Sequence, residues 1–295
     1  MMMDITEQKD RVFVGIGLGI CAHTLFCVMS ICAKILSETH HVAEIAFYRN
    51  AIIFVPLFLF IILRGKTHIF KVKHKKLVAT RAIIGGFSLM VTYGALSYLP
   101  ISYASVIFFT STILTPIFSH FLLKEHIGIH RWGAVIIGMV GVYIISRPSG
   151  DFNTFGLMLA LLAAFMHASM FIVLRKLKTE SSVTVTFYFI LAGAIIPGLA
   201  MPWVANLPAP DEIGLFLLIA ASGGIAQFCL ANAYKYAPAS VVTPFSYSAL
   251  LWTILADIFI WQYDLDFASI FWGAGLIIIA QLYIIFREYK NQKKA

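Results

Sequence analysis

Gly85-Gly86, Tyr98-Leu99-Pro100, Trp132-Gly133 and Tyr143-Ile144-Ile145-Ser146-Arg147 decide how this chain is read, because the same series recurs downstream. A shift of 138 residues gives Gly223-Gly224 and Tyr236-Ala237-Pro238. A shift of 140 gives Trp272-Gly273 and Tyr283-Ile284-Ile285-Phe286-Arg287, the two extra residues falling in the last loop. The upstream part repeats more faintly: Gly15 falls on Gly156, Lys34 on Arg175, and Phe47-Tyr48 on Phe187-Tyr188. Order and spacing both match, so the chain reads as an internal duplication with halves at 1–148 and 149–295.

Composition sets the medium. The chain of 295 residues is 60% hydrophobic and only 12% charged, about half the charged share of a soluble domain. Its charges sit in short loops between long apolar runs, the pattern of a multi-span membrane protein. Ten such runs stand out, at roughly 12–36, 42–63, 78–97, 102–123, 129–146, 154–176, 183–204, 213–234, 239–260 and 267–286. Each is long enough to cross about 30 Å of hydrocarbon at about 1.5 Å per residue. All are expected to be helices, because unpaired backbone groups are costly in lipid. The expected fold class is therefore an all-α membrane protein of ten transmembrane helices. The first run is long and lacks a small-residue cleavage site, so it is expected to be a span rather than a signal peptide.

A net charge of +8 would suit nucleic acid, but the placement of the charge argues against that partner. With the N-terminus in the cytoplasm, nineteen lysines and arginines fall on the inner side, two (Lys34 and Arg147) on the outer side, and Arg49 inside a span. That asymmetry is the positive-inside pattern, and it places both termini in the cytoplasm of a cell with an inner membrane. The basic stretch from Lys71 to Lys76 is then a loop facing anionic lipid. Five spans per half is an odd number, so the second half enters the membrane from the opposite side. The two five-helix repeats are inverted, the geometry of many alternating-access transporters.

The whole chain resembles the drug/metabolite transporter superfamily, and specifically its EamA-type members. The resemblance rests on Glu44-Ile45-Ala46-Phe47-Tyr48-Arg49 at the start of the second span, on Phe121-Leu122-Leu123-Lys124-Glu125 after the fourth, followed by Trp132-Gly133, and on Pro244-Phe245-Ser246-Tyr247 opening the ninth. The second half departs from the family pattern with Gln262-Tyr263-Asp264, where relatives often repeat the glutamate. The resemblance implies a ten-helix secondary transporter with a central cavity and no cofactor. It allows amino acids, S-adenosylmethionine-like or flavin-like cofactors, and organic acids as substrates, and it leaves a homodimer open.

Several polar residues interrupt the apolar runs. Arg49 lies about 10 Å into the second span by helical rise. A charge there meets either a substrate carboxylate, an ion partner such as Glu44, or a packing clamp. On the fourth span, Ser105, Phe109, Thr112, Pro116 and Ser119 share a face; on the ninth, Thr243, Tyr247, Leu250, Ile254 and Asp257 do. The repeat pairs Phe109 with Tyr247 and Leu114 with Trp252, as expected where two halves enclose a site, although small hydroxyl residues also serve plain helix packing. Tyr93 and Gln227 could add hydrogen bonds. The substrate-binding set is thus Arg49, Tyr93, Phe109, Gln227, Tyr247 and Trp252. Asp257 and His23 are candidates for proton coupling; Lys34 and Glu44 are candidates for an outer gate, against simple snorkelling to the headgroups. The four cysteines lie in apolar runs with no zinc or disulfide spacing. No Ser/His/Asp set, phosphate loop or metal-ligand motif marks an enzyme. An intramembrane enzyme and a non-transporting receptor or scaffold stand as the rival readings.

Overall fold

The protein's structure, a computed structural model, describes residues 5–65, 67–123, 153–177, 180–236, 248–263 and 266–292, with scattered positions between 133 and 144. Every regular element among these residues is helical. In the first half, α1 spans Ile5–Leu36, α2 Val42–Leu63, α3 Lys75–Tyr98 and α4 Ile101–Leu123. In the second, α5 spans Thr154–Lys176, α6 Ser182–Gly198, the single turn α7 Met201–Val204, α8 Ile213–Tyr236, α9 Ser248–Phe259 and α10 Phe267–Gln292. Eight of the ten expected spans fall on these helices. The fifth, at 129–146, and the first part of the ninth fall largely outside the described residues.

Among the described residues four helices are long and apolar enough to cross a membrane: Phe13–Leu36, Val42–Leu63, Lys75–Tyr98 and Ile213–Leu230. Shorter apolar helices cover Ile101–Thr115, Thr154–Met170, Ser182–Gly198 and Phe267–Ala280. The outward faces carry large apolar side chains, among them Leu63, Phe121, Trp203, Phe259 and Phe271. A water-soluble fold would hide such a surface; a bilayer accepts it.

The helices pack in reciprocal pairs. α1 lies along α8, as α3 lies along α5; α2 meets α6 directly; α2 also touches α8, and α3 touches α6. α4 packs on α5 while α1 packs on α9, and α4 meets α9. The repeated glycine pairs explain two of these contacts. A Cβ on Gly85 of α3 would lie 2.4 Å from the Phe189 ring and 2.6 Å from Arg81 Nη1. A Cβ on Gly223 of α8 would lie 2.7 Å from Arg49 Nε. Phe189 on α6 and Arg49 on α2 are separated by 140 residues, the repeat shift of that region. Gly85 thus seats a large side chain of α6, and Gly223 one of α2.

Between α2 and α6 a polar clasp stands beside the Phe54–Phe187 ring contact. Asn50 Nδ2 donates to Ala46 O on its own helix at 2.7 Å and across to Gly193 O at 3.0 Å. Gly193 exposes that carbonyl, since a side chain there would overlap the Asn50 amide.

Candidate functional site

Three polar groupings interrupt the apolar interior, and each is built from helix geometry. The first surrounds Phe189. The Arg49 guanidinium stands 5.9 Å from the ring centroid, and the Arg81 guanidinium, from α3, stands 4.5 Å from it. Both arginines are buried, at 1% and 5% exposure. Arg49 Nη1 donates to Asn50 Oδ1 at 2.8 Å, and Arg81 Nη1 contacts Met170 Sδ at 3.7 Å; the Nε of each has no hydrogen-bond partner. Tyr93, one helix over from Arg49 and in its electrostatic field, is fully buried with a hydroxyl that also lacks a partner. Among the described residues neither arginine is ion-paired; both ion pairs belong to His40. The Arg49–Glu44 pair left open by the sequence does not form, because Glu44 is engaged elsewhere. Aromatic faces and carbonyl dipoles offset only part of the several kcal/mol that burying a charge costs. The arrangement is therefore suited to receiving an acidic group.

A second grouping holds the corner between α3 and α4, where Tyr98-Leu99-Pro100 turns the chain. Lys34 Nζ donates to Leu96 O at 2.9 Å and to Leu99 O, carbonyls at the C-terminal end of α3 that have no helical partner. Asp257 answers at the start of α4. Its carboxylate accepts from Ile101 N at 3.0 Å, Ser102 N at 2.7 Å and Ser102 Oγ at 2.6 Å. Cation at a helix C-terminus and anion at an N-terminus is the arrangement that helix dipoles favour. Lys34 Nζ also stands 5.5 Å from the Trp261 ring and 5.4 Å from the Tyr263 ring. Neither residue snorkels: Lys34 is 4% exposed and Asp257 0%. Asp257 does not pair with Arg49.

The third grouping lies where α1 ends and α2 begins. His40 Nε2 hydrogen-bonds Glu212 Oε2 at 2.8 Å, and His40 Nδ1 stands 3.1 Å from Glu44 Oε2, an ion-pair distance without hydrogen-bond geometry. Glu212 also accepts from Thr39 Oγ1 at 2.8 Å and Ala209 N at 2.9 Å. Glu44 accepts from Asn206 N at 3.2 Å. Burial alone would lower the His40 pKa, but the two carboxylates outweigh it and raise the value. The hydrogen bond from His40, with help from Ala209 and Thr39, holds Glu212 down to about 2.

The remaining candidates fall in different places. Phe109 is partly buried against Tyr103, Val106, Ile113 and Leu250 where α4 meets α9 and α10, and Gln227 is partly buried on α8. Trp252 is 49% exposed, because α9 turns Leu250, Thr253, Ala256 and Asp257 inward and leaves Trp252, Leu255 and Phe259 outside. Trp252 and Asp257 therefore do not share a face. Tyr247 and Asp264 lie outside the described residues. His23 is partly buried on α1 with Nε2 unpartnered and its ring tilted against Phe26. Lys34 joins the α3–α4 corner rather than Glu44. Arg81, His40, Glu212 and Asn50 were not singled out from sequence. The sequence counts Arg81 with the inner-side charges, at the inner end of the run 78–97; the structure buries it on α3 against Phe189. Among the described residues no group of three or more His, Cys, Asp or Glu could hold a metal.

Apolar helices with ionised groups buried between them and at their corners define a multi-pass membrane protein. Two segments, 13–147 and 154–286, match the EamA-like transporter family, and the chain belongs to that family. It is similar along nearly its whole length to an S-adenosylmethionine uptake transporter of Rickettsia bellii, with 30% identity over 95% of this chain and 96% of that one. A transporter of Helicobacter pylori strain J99 described as uncharacterized is 26% identical over 94% of this chain and 96% of its own length. A riboflavin transporter of Vibrio cholerae is 28% identical over 72% of each chain. One solved crystal structure shares the fold with a TM-score of 0.65 at 16% identity, covering 92% of this chain and 96% of that chain.

Proposed function

We propose that the protein is a secondary transporter that carries a small organic metabolite with an acidic group across the inner membrane by alternating access. The observation that carries this reading is the pair of buried guanidiniums, Arg49 and Arg81, with no carboxylate partner among the described residues. A substrate carboxylate would supply the missing anion, and charge-assisted bidentate hydrogen bonds to arginine are strong and directional. The substrate contacts are Arg49 and Tyr93 first, then Gln227, with Phe109 and Tyr247 as aromatic candidates; Trp252, on the outer face of α9, drops out of the set.

Relatives named for S-adenosylmethionine uptake make that molecule the first candidate. It has an α-carboxylate for a guanidinium and a purine ring for an aromatic face. Riboflavin, carried by other relatives, has the ring system without the carboxylate. Purified protein in liposomes, given labelled S-adenosylmethionine, should show saturable, protein-dependent uptake that excess unlabelled compound abolishes. Absence of uptake for S-adenosylmethionine, riboflavin and a panel of amino and organic acids would overturn the transporter reading. It would return the receptor or enzyme alternatives.

The reading includes two inverted five-helix repeats, 1–148 and 149–295. Support comes from the reciprocal pairing of α1 with α8 and α3 with α5, and from the matching seats at Gly85 and Gly223. Both termini then face the cytoplasm. Single cysteines placed in 66–77 should react with impermeant reagent only in inside-out vesicles; labelling from outside in intact cells would reverse the orientation.

A further inference from the structure

We propose that His40 is a proton-binding site that latches the two halves together across the face where α1 meets α2. One arm is local and one is remote: Glu44 opens α2 four residues after His40, and Glu212, 172 residues away, precedes α8. An ionised carboxylate only accepts hydrogen bonds. His40 Nε2 hydrogen-bonds Glu212 Oε2 at 2.8 Å, while Nδ1 stands 3.1 Å from Glu44 Oε2 at ion-pair distance without a hydrogen bond, so the doubly protonated ring is a cation held between two carboxylates. Loss of one proton leaves a neutral ring: the attraction to Glu44 across Nδ1 disappears, and the bond to Glu212 loses its charge assistance and weakens.

The surroundings make the latch specific to this ring. His40 is 7% exposed and stands edge-on to Phe216 of α8 at 5.1 Å, with Tyr48 of α2 on the same ring at 5.0 Å. The other ionisable groups of these elements are otherwise placed. Lys34 reaches the α3–α4 corner, Glu38 receives Trp261 Nε1 at 3.4 Å, His41 caps α2 through Ala43 N, and Asp211 is exposed. Tyr48 lies in the field of Glu44. Glu44 and Glu212 are the partners that His40 holds.

The direction of the pH effect follows from linkage. The latched state raises the His40 pKa above its ordinary 6.5, so His40's contribution is complete below 6.5 and is lost as pH climbs through the raised value. Glu212 is held near 2 against an ordinary 4.5, so its contribution is complete above 4.5 and fades as pH falls toward 2. The latch is strongest between those two ordinary values, and opening this face at a pH between 6.5 and the raised His40 value releases a proton.

The test uses the full-length protein with its native cysteines replaced by alanine and spin labels at Glu38→Cys and Leu207→Cys, one on each side of the bridge. The wild-type distance should be short and narrow at pH 5.5 and should broaden or lengthen by pH 8.5, with a midpoint above 6.5. His40→Gln should give the same distance at every pH. Glu212→Gln, which keeps the shape but removes one charge, should move the midpoint down. A wild-type distance that ignores pH, or a His40→Gln protein with the full pH response, overturns the proposal. The measurement needs no substrate. A failed uptake assay would leave it standing, and a failed latch would leave the transporter reading standing.

Discussion

Arg49→Gln should weaken substrate binding by roughly a hundredfold, about 3 kcal/mol, the scale of a charge-assisted hydrogen bond pair in a buried site. The same substitution should leave the unliganded protein as stable as before or more so. Arg49 contributes a buried charge whose donors are only partly used: Nη1 reaches Asn50 and Nε reaches nothing. Removing an uncompensated buried charge relieves a desolvation cost, and glutamine retains an amide able to serve Asn50. The Gly223 seat becomes slightly underfilled, which costs less. Thermal unfolding with and without S-adenosylmethionine separates the effects: the midpoint without ligand is unchanged or higher, and the ligand-induced rise disappears. Arg49→Lys keeps the charge but not the planar fork, so it should retain part of that rise. An Arg49→Gln protein that unfolds several degrees earlier yet binds normally would make Arg49 a packing clamp.

The parts of the fold that were legible in sequence are those governed by local pattern. Apolar run length locates eight helices, since a span is a one-dimensional property, although α1 starts at Ile5, α10 runs on to Gln292 and the run 183–204 divides into α6 and α7. The glycine pairs were visible as a repeat, and the structure gives them a reason, close seats for Arg49 and Phe189. Polar residues inside spans were visible too, but sequence says only that such a residue needs a partner. Lys34 finds carbonyls 62 and 65 positions away, and Asp257 finds amides 155 and 156 positions away. No periodicity encodes those distances. Arg81 is a related case. It lies at the inner end of the run 78–97 and so reads as an inner-side charge, and only the packing of α3 on α6 shows it buried against Phe189. His40 and Glu212 sit in short polar corners, where a sequence offers nothing to distinguish a latch from a solvated loop.

Asp257→Asn should destabilise the protein by about 2–4 kcal/mol, the range for leaving charge-assisted buried hydrogen bonds unmade. The change keeps the side-chain shape, so any large effect comes from hydrogen bonding. The carboxylate satisfies three donors at once: Ile101 N, Ser102 N and Ser102 Oγ. An asparagine has one acceptor oxygen, and its NH2 group must then point at one of the α4 backbone N–H groups. The first turn of α4 has no helical partners for those groups, and Asp257 is fully buried, so water offers little replacement. Lys34 also loses a nearby countercharge. The outcome distinguishes a cap from a proton carrier. If Asp257 carries the coupling proton, the Asn protein folds normally, still exchanges substrate between the two sides, and fails only in gradient-driven accumulation. If Asp257 holds the α3–α4 corner, the melting temperature falls, and exchange and accumulation decline together at every pH. The geometry favours the second result. An Asn protein with wild-type thermal stability and intact exchange would refute it.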